Sequence, residues 1–111
     1  MPFIDLDELP EKEPLPGWKG RYAHSDQMTF AFYQVEEGAS IHVHDHEQEE
    51  VWHVLEGRLE VTIGGESRVV GPGGVAIVPP HTAHGVRALA ASRAVVVDHP
   101  RRESVGRVDT R

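Results

Sequence analysis

Cysteine is absent from this sequence of 111 residues, so disulfide bonds, thiolate metal sites and cysteine nucleophiles are excluded. Long apolar runs are also missing, and no stretch approaches the roughly 20 residues that a membrane-spanning helix requires. The acidic, proline-rich start of the chain lacks a basic segment followed by an apolar one, so it does not predict a secretion signal. From these absences we expect a cytoplasmic protein with no membrane partner.

Basic residues are scarce, with 11 Lys and Arg against 18 Asp and Glu and a formal net charge of -7. Because an acidic chain repels phosphate backbones, we expect no nucleic-acid partner. One concentration of basic residues lies near the C terminus, at Arg101, Arg102, Arg107 and Arg111. A solvated tail explains it more simply than a binding patch, and residues 100–111 are predicted to form such a polar tail.

Helical periodicity is lacking as well. The nearest rival, Arg87–Val97, ends in three β-branched valines that favour a strand. From Met28 onward, short runs of Val, Ile, Phe and Thr alternate with Gly and Pro, including a Gly64-Gly65 hairpin turn. The predicted strands are Thr29–Val35, Ser40–His46, Glu50–Glu56, Leu59–Ile63, Ser67–Val70, Val75–Val78, His84–Ala88 and Ala94–His99. This spacing predicts an all-β barrel or sandwich over residues 28–99.

The preceding residues 1–27 are dense in proline, which prevents a regular helix and interrupts sheet ladders. We expect an extended N-terminal arm with at most one short strand. The arm contains apolar side chains that could pack on the barrel or on a partner subunit. Because the arm and the edge strands need cover, a homodimer is expected.

Half of the eight histidines fall within Ser40–Gly57. His42, His44 and His46 alternate with other residues, and alternate residues of a strand point to one face. The face could be a solvated polar one. If it points inward, however, the imidazoles need a partner, because unpaired buried polar groups are costly. A divalent cation would supply it, and imidazole with carboxylate suits Mn, Fe, Co, Ni or Zn.

The spacing Gly38, His44, His46, Glu50 and Gly57 follows the pattern G-x5-H-x-H-x3-E-x6-G. At every fixed position it resembles the first motif of the cupin superfamily. The resemblance implies a double-stranded β-helix, the jelly-roll barrel of the cupins. It covers roughly residues 28–99.

The second cupin motif, G-x5-P-x-G-x2-H-x3-N, is matched in part by Gly73, Pro79 and His84. His81 occupies the family's glycine position, and Ala88 occupies its asparagine position. Only residues 58–72 separate the two motifs, as in small single-domain bacterial cupins.

The resemblance implies that His44, His46, Glu50 and His84 hold one divalent transition metal per chain. Such a set leaves two octahedral positions open for Lewis-acid or oxygen chemistry. In an alternative register, His42 and His44 form the pair and Gln48 is the third ligand. That register displaces the flanking glycines by two positions and replaces a charged ligand with a neutral amide.

Several other residues near the cluster have weaker expectations. His42, Trp52, Gln34 and Tyr33 are candidates to line a pocket beside the metal, although His42 and Trp52 could be ordinary barrel-lining residues. His53 is expected to face outward, because it lies three residues beyond Glu50 on one strand. His81 is expected to be exposed at the barrel mouth.

The reaction does not follow from the fold. One hypothesis is a metal-dependent enzyme acting on a small polar or aromatic molecule as a dioxygenase, isomerase or lyase. By resemblance, sugar-acid processing is a candidate, because short cupins include proteins that ketonise unsaturated uronates. The alternatives are a non-catalytic ligand-binding or sensing module and a barrel whose metal is purely structural.

Overall fold

A computed structural model of the chain describes residues 3–103. Two antiparallel sheets face each other, one with six strands in the order β1-β2-β3-β10-β5-β8 and one with four in the order β4-β9-β6-β7. The strands are β1 Lys12–Leu15, β2 Trp18–His24, β3 Thr29–Val35, β4 Ser40–His44, β5 Glu49–Glu56, β6 Leu59–Ile63, β7 Glu66–Val70, β8 Val75–Val78, β9 His84–Ala88 and β10 Ser92–His99. A single 3-10 turn, Leu6–Glu8, precedes them. The expected all-β jelly-roll barrel is confirmed.

All eight predicted strands are present, with bounds that shift by two residues or fewer. The hairpin between β6 and β7 turns at Gly64 and Gly65, whose φ angles are 56° and 85°. Positive φ at both central residues is the requirement of a type I′ turn, and glycine meets it without strain.

The prediction of at most one short strand in residues 1–27 is wrong. β1 and β2 both belong to the six-stranded sheet, and β2 pairs with β3 in unbroken register over seven residues. The prolines do not prevent this because Pro14 lies in an edge strand and no proline lies within β2. Trp18, the first residue of β2, is 1% exposed and is part of the core.

The core between the sheets is apolar and centres on aromatic rings. Trp18 packs edge to face against Trp52 and Tyr33, with ring centroids 5.8 and 5.5 Å apart. Leu59 and Val54 are fully buried in the same core. This packing fills the end of the barrel where β2, β6 and β10 begin.

At the other end, one cross-strand row of the six-stranded sheet carries polar side chains. The register aligns His24 with Thr29, Thr29 with Asp98, and Asp98 with Glu50. Thr29, Asp98 and Glu50 are all buried. Within residues 3–103, no helix is long and apolar enough to cross a membrane.

Candidate metal centre

Three imidazoles converge at the polar end of the barrel. His44 is the last residue of β4, His46 follows in the turn, and His84 begins β9 directly opposite His44. One ring nitrogen from each of the three lies within 4.8 Å of those of the other two. Glu50 comes from the six-stranded sheet, with its carboxylate oxygens 3.2 Å from Nε2 of His46 and 3.2 Å from Nε2 of His84. The structure therefore brings together all four residues proposed as ligands.

A β-bulge in β4 decides which histidines face inward. Ile41 pairs with Val86 and His44 pairs with His84, so three residues of β4 advance against two of β9. The extra residue reverses the alternation, and both Ile41 and His44 face the interior, whereas His42 is exposed. The prediction that His42 and His44 point to the same face of the strand, which rests on a two-residue period, is therefore wrong.

Gly85 makes room for the bulge. A Cβ atom at this position would lie 3.1 Å from the Ile41 carbonyl oxygen and 3.2 Å from the Val43 side chain. A glycine inside a strand is a sequence signal of a bulge or a close backbone approach. That signal, read from the partner strand, could have located the irregularity in β4.

Each imidazole is oriented by a backbone carbonyl. Nδ1 of His44 lies 2.8 Å from the carbonyl oxygen of His42. Nδ1 of His46 lies 3.2 Å from that of Gln48, and Nδ1 of His84 lies 2.8 Å from that of Thr82. Since a carbonyl can only accept, Nδ1 carries the proton in each ring, and Nε2 of a neutral ring presents a lone pair. Metal-binding histidines are usually held by such a hydrogen bond to the nitrogen that does not bind the metal.

The Nε2 atoms of His46 and His84 are buried and have no hydrogen-bond partner within residues 3–103. Each of these two atoms lies 3.2 Å from a Glu50 carboxylate oxygen. Neutral rings here would place nitrogen lone pairs against a carboxylate, an arrangement that is unfavourable without a positive charge between them. Three imidazoles and a carboxylate therefore fit a divalent transition metal.

Glu50 is the most heavily contacted carboxylate of the cluster. It is 3% exposed, and Trp52 donates its indole N–H to Oε2 over 2.6 Å. Burial by itself raises the pKa of Glu50, but the contacts with His46 and His84, with Asp98 and with Trp52 together hold it well below its usual range. Glu50 is thus an anion at neutral pH.

The pKa values of His44 and His84, which face each other across β4 and β9, are shifted in opposite directions. Burial lowers the pKa of His44. Burial also lowers the pKa of His84, but the Glu50 carboxylate and the Thr82 carbonyl outweigh it, so the net pKa is raised.

Sequence reasoning missed two residues of this site. Asp98 on β10 is 1% exposed, and its Oδ1 has no hydrogen-bond partner within residues 3–103. Burial, followed by the adjacent Glu50 charge, raises the pKa of Asp98 to about 8. The other inward-facing residues of β10 are small or apolar, so an inward-facing carboxylate on this strand was a sequence signal of a functional site.

Arg102 is the other missed residue. Its guanidinium lies 3.5 Å from Oε1 of Glu50 and 3.9 Å from Oδ2 of Asp98. Its backbone N–H donates to Oγ1 of the buried Thr29 over 2.9 Å, which fixes this segment to β3. The expectation that Arg102 belongs to a solvated tail is wrong. Its contacts with Thr29 and Glu50 are made across 73 and 52 residues of sequence, so a local pattern does not reveal them. Arg107 and Arg111 lie outside the described residues.

The pocket candidates divide between the two faces of the sheet. Trp52 and Tyr33 face inward, with their rings stacked at a centroid distance of 6.4 Å. Burial raises the pKa of Tyr33 well above its usual value, and its hydroxyl contacts that of Tyr22 at 3.2 Å. Gln34 is exposed on the outer face, so its assignment to the inner pocket is wrong, because it has the opposite parity from Tyr33.

The remaining histidines lie as follows. His53 and His81 are both exposed, as expected. His81 has a positive φ of 57°, and its N–H donates to the His46 carbonyl over 2.8 Å. The alternative register is not the one assembled here: His42 is exposed, and Gln48 contributes its backbone carbonyl to His46.

Comparisons with known proteins agree with this architecture. The model of the cupin domain family matches residues 31–100. An uncharacterized protein of Streptomyces coelicolor, SCO3923, is 30% identical over 98 residues, which cover 87% of this chain and 93% of the relative.

Two solved structures are similar over nearly the whole chain. KdgF from Halomonas sp. has a TM-score of 0.85 and 30% identity, with 92% of this chain and 96% of that chain covered. An RmlC-like cupin from Shewanella frigidimarina has a TM-score of 0.86 and 24% identity, with coverages of 92% and 93%; at that identity the likeness concerns the fold alone. With the family model matching more than half of its residues, this chain belongs to the cupin family.

Proposed function

We propose that this protein is a metal-dependent enzyme that moves a proton on a small carboxylate-bearing molecule, as an isomerase or a lyase. His44, His46, Glu50 and His84 would hold one divalent transition metal. The substrate would bind on the open side of the cluster, next to Asp98 and Arg102. A sugar acid is the substrate class that we favour.

The observation that carries the proposal is the state of the imidazole nitrogens. Nδ1 of each ring faces a backbone carbonyl, and two of the three Nε2 atoms are buried without a hydrogen-bond partner within residues 3–103. An arrangement of this kind is expensive unless a cation occupies it. A bound divalent metal would supply Lewis-acid polarisation of a substrate oxygen.

Arg102 supports a carboxylate-bearing substrate. Its side chain is 21% exposed, so part of the guanidinium can reach a ligand while its backbone is held by Thr29. Arginine binds carboxylates through two parallel hydrogen bonds, which fixes their orientation. Sugar acids combine a carboxylate with hydroxyl oxygens that hard metal ions accept.

Asp98 supports proton transfer rather than oxidation. Its Oδ1 is buried beside the ligand cluster without a partner within residues 3–103. A protonated carboxyl group at this position can give a proton to one substrate atom and take one from another. Such a reaction needs no oxidant, and it favours the isomerase and lyase hypotheses over the dioxygenase one.

The proposal is tested by supplying unsaturated uronates to metal-loaded protein and following the loss of their ultraviolet absorbance. Dissolved oxygen is recorded in parallel. We expect turnover without oxygen consumption. Tight binding of these compounds without turnover, or oxygen uptake that requires them, would contradict the proposal.

Two variants assign the roles. Asp98→Asn should lower kcat by about 100-fold or more while the metal content stays the same. Arg102→Gln should raise KM more than it lowers kcat. Glu60→Gln, a change of a carboxylate on the outer face of the other sheet, serves as the control and should leave both constants unchanged. Equal activity in Asp98→Asn and Glu60→Gln would remove Asp98 from the mechanism.

A further inference from the structure

The tip of the β2–β3 hairpin contributes two residues to the polar end of the barrel. His24 ends β2 and Thr29 begins β3, and the two pair in the sheet register. Thr29 also pairs with Asp98 of β10, and it is 0% exposed. Because an unpaired buried hydroxyl is costly, the partners of this side chain indicate what the hydroxyl does.

Oγ1 of Thr29 has three polar neighbours. The backbone N–H of Arg102 donates to it over 2.9 Å, Nδ1 of His24 lies 2.8 Å away, and the carbonyl oxygen of Arg102 lies 3.4 Å away. A threonine hydroxyl has one hydrogen and two lone pairs. The shorter contact assigns the hydrogen to Nδ1 of His24, and the lone pairs remain for the N–H of Arg102. A neutral His24 ring in this arrangement carries its own hydrogen on Nε2.

The chain beyond β10 depends on this hydroxyl for the position of its backbone. The pairing of β10 with β5 ends at His99, and within the described part of the chain no backbone group of residues 100–103 bonds to another backbone group. The guanidinium of Arg101 donates to the Ser25 carbonyl over 3.2 Å, but this side chain is 38% exposed. The bond to Thr29 is the buried attachment of the segment.

This attachment determines where the guanidinium of Arg102 lies. It is 3.5 Å from Oε1 of Glu50 and 3.9 Å from Oδ2 of Asp98, at the open side of the proposed metal centre. An arginine side chain loses much rotamer freedom when it is fixed on a ligand. A backbone that is already fixed reduces the freedom lost on binding, which is the benefit of preorganisation.

Packing alone does not require a hydroxyl at position 29. Valine has nearly the shape of threonine and is equally suited to a strand. The other fully buried residues of β3, Ala31 and Val35, are apolar. The feature that threonine adds to this position is its hydroxyl, and that hydroxyl contacts His24 and Arg102.

From these contacts, we propose that Thr29 is a positioning residue for recognition of the substrate carboxylate and that His24 orients its hydroxyl. Thr29 acts through Arg102 and does not itself contact the substrate. This inference rests on the role of Arg102 in the proposed function. It makes the selectivity of the site for a carboxylate depend on the β2–β3 hairpin as well as on the metal ligands.

A double-mutant cycle with unsaturated uronates as substrates tests the proposal. Thr29→Val removes the hydroxyl and keeps the side-chain shape, so KM should rise about 3- to 10-fold, the effect of one lost hydrogen bond, with little change in kcat. In the Arg102→Gln background, the same substitution should have no further effect on KM, because no guanidinium remains to be positioned. An equal rise of KM in both backgrounds would overturn the proposal.

Two further variants control for the loss of a hydroxyl as such. Thr29→Ser keeps the hydroxyl and should retain the wild-type KM. Thr62→Val removes a hydroxyl that contacts Oγ of Ser67 at 2.6 Å on the other sheet, and it should also retain the wild-type KM. If Thr29→Val matched Thr62→Val in KM, Thr29 would have no positioning role.

Amide hydrogen exchange tests the same contact without a substrate. The Arg102 amide should exchange several times faster in Thr29→Val than in wild type or Thr29→Ser, because its acceptor is lost. Nitrogen-15 shifts of the His24 ring at mildly alkaline pH should show the hydrogen on Nε2. Failure of the wild type to turn over uronates would contradict the proposed function. Unchanged exchange of the Arg102 amide in Thr29→Val, or a hydrogen on Nδ1 of His24, would overturn the positioning role even in an active enzyme.

Discussion

The two ends of the barrel satisfy their polar groups in different ways. The closed end contains the β3–β4, β5–β6 and β9–β10 turns, where backbone groups bond to one another or to Ser92, as when the Gly38 N–H donates to the Ala88 carbonyl. The metal end contains His44, His46, Glu50, His84 and Asp98. Of the four buried side-chain nitrogen and oxygen atoms without a hydrogen-bond partner in residues 3–103, three are at the metal end.

The difference indicates that the ends are built for different purposes. Buried polar atoms are normally hydrogen-bonded, and exceptions need an explanation such as an ion or a catalytic role. Apart from Nε1 of Trp18, the closed end follows the rule and stabilises the barrel. The metal end departs from it at His46, His84 and Asp98, where a ligand can complete the missing interactions.

The largest expected effect on stability is at the closed end. Gly57 has a φ of 82°, and a Cβ there would overlap Ser92 and the Ala91 carbonyl. We expect Gly57→Ala to lower the free energy of unfolding by about 3 kcal/mol or more, from left-handed strain and overpacking together. Urea denaturation measures the loss, and folded protein should still bind metal.

Gly38→Ala is the matched control for that prediction. Gly38 has a φ of 86°, but nothing lies within 4 Å of an added Cβ. Only the backbone strain remains, so the loss should be about 1 kcal/mol. Equal losses at the two glycines would mean that crowding at Gly57 contributes nothing.

The next effect separates the two buried tryptophans. Trp52→Phe removes the indole N–H that holds Glu50, whereas Nε1 of Trp18 has no hydrogen-bond partner within residues 3–103. We expect metal affinity to fall about 10- to 100-fold in Trp52→Phe, the usual cost of losing a residue that orients a ligand. Trp18→Phe should change stability but leave metal affinity nearly unchanged. Competition with a chromophoric chelator measures both, and an equal affinity loss in the two variants would contradict the role of Trp52.

A smaller effect concerns the loop that supports His46. His81 has a φ of 57°, in the left-handed region, and it occupies the position at which the cupin motif has glycine. His81→Gly should raise the free energy of unfolding by about 0.5 kcal/mol, because relief of strain exceeds the entropy cost of glycine. His81→Ala keeps the strain, so it should not increase the stability measured by thermal unfolding. A stabilising alanine with a neutral or harmful glycine would show that φ is not the cause.

The smallest effect is the pH dependence of stability that arises from the buried tyrosines Tyr22 and Tyr33. Burial raises the pKa of Tyr22 and, more strongly, of Tyr33 above 10.0, their usual value. A raised pKa means that the folded protein holds its proton to higher pH than the unfolded chain. The stability contribution is therefore complete below pH 10 and is lost as the pH rises above it. Absorbance titration should show delayed ionisation of both tyrosines relative to urea-unfolded protein, and coincident curves would contradict the burial effect.

Much of the fold could be predicted from sequence because local signals agree. Short β-branched runs, the Gly64-Gly65 turn and the spacing of Gly38 and Gly57 point to the same barrel. At most one of β1 and β2 was predicted, because the proline content of residues 1–27 outweighed the strand pattern in Trp18–His24. Pairing of β2 with β3 and burial of Trp18 supply the stabilisation that local propensity does not show.

Only those residues of the candidate site that follow the spacing of a motif could be predicted from the sequence. His44, His46, Glu50 and His84 fit a motif, and the structure brings them together. The orientation of His42 depends on a bulge whose signal lies on the partner strand, at Gly85. Arg102 reaches Glu50 through tertiary contacts with β3, which leave no trace in the local pattern.

Metal analysis of purified protein tests the central claim most directly. We predict about one divalent transition-metal ion per chain in the wild type and in His53→Ala, whose substituted side chain is exposed on the outer face. His46→Ala combined with His84→Ala should contain almost none, although it remains folded by circular dichroism. Full metal content in the folded double variant, or a metal-free wild type that binds no added Mn²⁺, Fe²⁺, Co²⁺, Ni²⁺ or Zn²⁺, would contradict a metal centre at this end of the barrel.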